Sequence, residues 1–89
     1  MQYTNVPYTL DYDYRLIKLV RQIRDLTLAE FGEVVGIHWN TVAQLEKGLL
    51  EFTPLYMTRF HEGLKKLNIS PIEMASLELL LTIKRETGK

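Results

Sequence analysis

The 89-residue sequence has no cysteine, which excludes disulfides and thiolate metal sites and gives no sign of an oxidising compartment. Histidine is scarce too: His38 and His61 stand too far apart for metal-ligand spacing, so neither zinc nor any other cofactor is expected. No apolar run approaches the roughly 20 residues that span a bilayer. The opening MQYTNVPYTLDYDY lacks the basic n-region and apolar core of a signal peptide. A soluble, cytoplasmic protein with no membrane partner is the expectation. Repeats and low-complexity segments are missing. So are a Ser/His/Asp or Cys/His arrangement, a phosphate-cradling glycine loop and a closely spaced carboxylate pair, and an enzyme is not expected. An excess of charge of one sign is also lacking, since 11 Lys and Arg balance 11 Asp and Glu. Cations that neutralise phosphates supply most sequence-independent affinity for nucleic acid, so this balance disfavours tight binding by a monomer. It leaves open a dimer with a few well-placed cations.

What is present is a globular composition, 46% apolar and 25% charged, in a chain long enough for one core and too short for two. Residues 27–48, TLAEFGEVVGIHWNTVAQLEKG, organise it. Thr27 is placed to cap a helix with Glu30 as its reciprocal partner. Leu28, Phe31 and Val35 recur at helical spacing, and Gly32 sits where a close neighbour leaves no room for a side chain. Gly36 stops the helix in the left-handed conformation that glycine adopts cheaply. Ile37 plugs the angle to a second helix, about His38 to Lys47, which buries Val42 and Leu45 and ends at Gly48. Its other face offers His38, Trp39, Asn40, Ala43, Gln44 and Lys47. Short helix, glycine turn, short helix is the helix-turn-helix pattern, whose second helix enters a DNA major groove.

The stretch resembles the Cro/C1-type (XRE-like) phage-repressor family without a gap, from Leu26-Thr27 through Phe31, Gly32, Val35-Gly36-Ile37, Thr41-Val42 and Gln44-Leu45-Glu46 to Gly48. Arg21 falls where that family places an arginine that pairs with the glutamate closing the recognition helix, here Glu46. Pro54 falls where its fourth helix begins, and the likeness covers roughly residues 14–74. The resemblance implies an all-α, compact five-helix, lambda-repressor-like DNA-binding domain. One departure stands out: Leu28 replaces the family's phosphate-binding Gln, and an apolar side chain cannot take over that bond.

Along the rest of the chain, residues 1–10 read as an extended arm, in which Tyr3, Val6, Tyr8 and Leu10 pack on the domain or on a second subunit. The single domain covers 11–89. Helix 1 is expected from Asp11 or Asp13 to Arg24, with an acidic start suited to the helix dipole and a core stripe of Leu16, Ile17, Val20 and Ile23. Arg15, Lys18 and Arg24 are solvent-side candidates for phosphate. Arg21 and Glu46 form a structural ion pair in this reading. Thr53-Pro54 starts helix 4, with Leu55, Phe60, Leu64 and Leu67 as its core side, Arg59, Lys65 and Lys66 exposed, and Asn68 at its end. The apolar loop residues Leu49, Leu50 and Phe52 bury in part between helices 3 and 4 or at a dimer interface. Ser70-Pro71-Ile72-Glu73 starts helix 5, expected over 71–86. That helix is apolar around more than one face, and the surplus is expected to pack on a second copy, giving a homodimer.

The function expected is sequence-specific transcriptional regulation, as a repressor, by a dimer on a palindromic operator in double-stranded DNA. His38, Trp39, Asn40 and Gln44, with Ala43 close by, are the candidates for reading bases; Thr27, Thr41, Lys47 and Arg59 are those for the DNA backbone. Asn and Gln can each bond bidentately to the adenine edge. Trp39 can touch a thymine methyl, pack on sugar or anchor a protein interface. His38 can act as an N-cap, a phosphate ligand or neither. The competing expectation is a protein-interaction module of the same fold, such as an antirepressor, an antitoxin-like protein or a heterodimer partner, without DNA binding of its own.

Overall fold

The computed structural model describes residues 12–87, with side chains through Ile83. The proposed arm, residues 1–10, lies outside these residues, as does Asp11. The described residues form an all-α fold of five helices: α1 (Arg15–Ile23), α2 (Leu28–Val35), α3 (Trp39–Glu46), α4 (Pro54–Lys66) and α5 (Pro71–Thr87). Their apolar faces meet in one core. Phe31, Leu16, Leu45, Val20 and Val42 are fully buried at its centre. Ile17, Val35, Phe60, Leu64, Leu77 and Leu81 complete it. Each such side chain contributes about 1.5–3 kcal/mol on leaving water, so the core outweighs any single polar contact. Phe60 is its aromatic hub, with Phe31, Phe52 and Tyr12 at ring-centroid distances of 6.4, 5.8 and 5.2 Å.

Three helix starts follow from local chemistry. Thr27 and Glu30 form the reciprocal cap of α2, Thr53 Oγ1 accepts from the Tyr56 N–H, and Ser70 and Glu73 exchange bonds at the start of α5. Helix α1 departs from expectation. It begins at Arg15, with no acid in its first turn. Asp13 stays outside the helix because its carboxylate accepts from the Arg15 N–H and also pairs with the Arg15 guanidinium at 2.7 Å. The stop is also polar: Asp25 adopts a left-handed φ of 57°, which Asp tolerates better than most residues.

Two residues expected in the core are exposed. Ile23 is 42% exposed at the end of α1, whose last turn enters the core through Val20 while Arg24, just past the helix, bonds the Leu67 and Asn68 carbonyls. Leu55 is 59% exposed, since a helix turning 100° per residue sets it about 140° from Phe60. Leu67 is the C-cap of α4, and Asn68 follows with a left-handed φ of 56°. In the loop after α3, Leu50 and Phe52 pack on the core, whereas Leu49 is exposed. Among the described residues no helix is long and apolar enough to cross a membrane.

Candidate functional site

The α2–α3 pair is set by a short list of contacts. Gly36 takes φ 71°, ψ 33° and closes α2 by donating its N–H to the Gly32 carbonyl. The Ile37 N–H bonds the same carbonyl at 2.9 Å. Gly32 is needed for a different reason: a Cβ there would lie 2.5 Å from the Ile37 carbonyl oxygen and 3.3 Å from the Trp39 nitrogen. The start of α3 therefore rests directly on the backbone of α2. Two cations of α4 meet the free carbonyls at the negative end of α2. Arg59 Nη1 donates to Gly36 O at 2.7 Å and Lys66 Nζ to Val34 O at 3.2 Å.

At its other end α3 is fixed by Arg21. Its guanidinium grips Glu46 through two bonds of 2.7 and 3.0 Å and gives a third to the Leu26 carbonyl at 3.1 Å. The Glu46 carboxylate raises the Arg21 pKa further above its ordinary value. One side chain thus ties α1, the entry to α2 and the end of α3. The pair is largely removed from water, with side-chain exposures of 17% and 7%. Arg24 makes a second clamp. It donates to the Leu67 and Asn68 carbonyls and to both Glu73 oxygens, joining α1 to the α4–α5 junction. These bonds first, and the Ser70 N–H second, hold the Glu73 carboxyl down at about 2.

With Val42 and Leu45 turned into the core, the opposite face of α3 is left to solvent. His38, Trp39 and Asn40 are exposed, Thr41, Ala43 and Gln44 are half-buried, and Lys47 is exposed at the C-cap. His38 caps the helix: its Nδ1 accepts the Asn40 N–H at 3.2 Å, so the neutral ring carries its proton on Nε2. Its imidazole lies over the indole of Trp39, with centroids 5.6 Å apart and planes at 32°. Trp39 is 50% exposed and borders a shallow cleft of about 310 Å³ whose other walls include Ala29, Glu33 and Ile37. The face thus offers two aromatic rings and two amides on a helix held at both ends.

Several cations are engaged within the protein, among them three read on sequence as candidates for phosphate, Arg15, Arg24 and Arg59. Arg15 pairs with Asp13, Arg24 with Glu73, and Arg59 and Lys66 with α2 carbonyls. Arg59, placed with the DNA-backbone candidates on sequence, is exposed but directed at the turn. Thr27, another of them, uses its hydroxyl oxygen to accept the Glu30 N–H. Lys18 and Lys47 are exposed and make no ion pair among the described residues. Sequence reading missed the clamps of Arg24, Arg59 and Lys66, whose partners lie 23 to 49 positions away. It also missed the Tyr12 hydroxyl–His61 Nδ1 hydrogen bond of 2.6 Å, which docks the start of the domain on α4. No family model matches the chain, and no curated protein or solved structure matches it either.

Proposed function

We propose that the chain is a sequence-specific DNA-binding regulator of the Cro/C1 helix-turn-helix type, a cytoplasmic repressor acting as a dimer on a palindromic site. The observation that carries this reading is the outward face of α3. A short helix, anchored at Gly32 and at Arg21–Glu46, holds His38, Trp39, Asn40 and Gln44 away from the core. A major groove is about 12 Å wide and accepts one helix with side chains of this kind. Asn40 and Gln44 supply paired donors and acceptors for adenine, and Ala43 and the Trp39 indole supply apolar contact for thymine methyls. Two subunits would set their α3 helices in successive grooves, about 34 Å apart. Lys47, Thr41 and the N–H groups at the start of α2 would contact phosphate.

The test is selection from a pool of random duplexes by the wild-type chain and by the double variant Asn40→Ala, Gln44→Ala. Enrichment of a palindrome, lost in the double variant and weakening steeply with salt, is expected. Absence of any enrichment at low salt would overturn the reading.

One observation favours a second reading, an interaction module that binds protein instead of DNA. Arg15, Arg24, Arg59 and Lys66 are engaged internally, and residues 26–48 carry Glu30, Glu33 and Glu46 against Lys47 alone. A half-exposed Trp beside an acid suits a protein surface as well as a groove. Failure of the selection would leave this reading standing.

A further inference from the structure

The chain's two histidines both present Nδ1 to a hydrogen-bond partner, but the partners differ in kind. His61 Nδ1 lies 2.6 Å from the Tyr12 hydroxyl, and a hydroxyl can accept as well as donate. When that ring takes a proton on Nδ1, the bond reverses and survives. His38 Nδ1 accepts the Asn40 backbone N–H at 3.2 Å, and an N–H has no lone pair to offer in return. A proton on this Nδ1 sets two donors against each other, and the bond is lost. The first turn of α3 then has one more unsatisfied N–H, and its positive end repels the imidazolium. Imidazole is the side-chain group that ordinarily changes charge between about pH 5 and 8.

We propose that His38 is a proton-operated cap of α3. Neutral, it closes the helix and lies over Trp39; protonated, it leaves the helix end and stands as a cation on the outer face. The ring is exposed and meets the indole at a centroid distance of 5.6 Å, so its departure also changes the surroundings of Trp39. Glu33 of α2 lines the same cleft and gives the released imidazolium a carboxylate to approach. Arg59 of α4 is committed to the Gly36 carbonyl, two residues before His38. Arg21, Glu46 and Lys47 belong to the other end of α3. The cap is therefore held at neutral pH and given up as pH falls. Resting on the regulator reading, this names a regulation of its site: mild acid adds a phosphate-facing cation beside a turn where Arg59 and Lys66 are taken by α2 carbonyls.

The test compares wild type with His38→Asn, which keeps a good N-cap residue and takes no proton. NMR and fluorescence of the free chain are followed from about pH 8 to about pH 5. In wild type the Asn40 amide resonance and the Trp39 emission are expected to change together with the His38 ring, and both should stay flat in His38→Asn. An Asn40 amide that does not move while the His38 ring titrates would overturn the proposal. So would the same transition in His38→Asn, which would assign it to another group. Random-sequence duplex DNA then tests the consequence. The slope of log affinity against log salt is expected to steepen by about 0.9 at the acid end in wild type and not in His38→Asn. Equal slopes would overturn the role of the imidazolium at phosphate. No binding at either pH would defeat the regulator reading, while the cap transition, read without DNA, stands or falls separately.

Discussion

Helices α3 and α5 are held in opposite ways. Helix α3 has eight residues, too few to be stable alone in water, yet its position is fixed at both ends. The Gly32 backbone sets one end, the Arg21–Glu46 pair sets the other, and two apolar residues fill the space between. Helix α5 has 17 residues and is placed by one apolar face plus the Arg24–Glu73 clamp at its start. Away from that face it leaves Ile72, Leu79, Leu80 and Ile83 exposed. The contrast teaches that a helix over-determined from inside can leave its outer face, Trp39 and two amides among it, open to solvent. A helix placed by a single stripe can leave a second apolar stripe exposed.

Breaking the over-determined helix should be costly. Arg21→Ala leaves Glu46 as a nearly buried, uncompensated charge and is expected to lower stability by about 3–5 kcal/mol in denaturant unfolding. An effect below about 1 kcal/mol would mean that the pair is solvated. Gly32→Val comes next. Its side chain must displace backbone atoms of the turn, and a loss of about 1–3 kcal/mol is expected. Because the change re-aims α3, it should also alter the emission of Trp39. Thr27→Ala removes one side of the α2 cap and should cost about 1 kcal/mol by the same assay.

Acid sharpens the comparison at α5. Glu73 is depressed in the folded chain to about 2 from an ordinary 4.5, so its stabilising contribution is full above about 4.5 and is lost as pH falls toward about 2. Melting temperature followed through that window should fall less in Glu73→Gln than in wild type. Equal slopes would show that the clamp adds nothing. The smallest expected effect is that of Leu49→Ser, an exposed loop change that should shift stability by less than about 0.5 kcal/mol.

Much of this arrangement was legible in the sequence wherever one residue decides its neighbours. Thr27 with Glu30, Ser70 with Glu73, Thr53 before Pro54 and the left-handed Gly36 are local signals, and each is found in place. Val42 and Leu45 face inward and Trp39 outward because a single helical period settles all three. The start of α1 misled for a physical reason. An acid near a helix start suits the dipole, but Asp13 gains more by bonding the Arg15 N–H and guanidinium from outside the helix. Ile23 and Leu55 misled because apolar character alone does not say where a helix loses its neighbours. The clamps of Arg24, Arg59 and Lys66 were illegible, since a charged side chain carries no mark of a carbonyl that only folding brings near. Those clamps matter for the candidate site, because they decide how many cations remain free at the surface.

The most direct measurement uses the chain's single tryptophan, which lies on the outer face of α3. Trp39 emission is followed while duplex DNA is added at low salt, and salt is then raised. If α3 enters a major groove, the emission should shift to the blue and lose intensity with saturable dependence on duplex, and return to its starting value as salt displaces the protein. Emission unchanged through the whole titration would contradict the account.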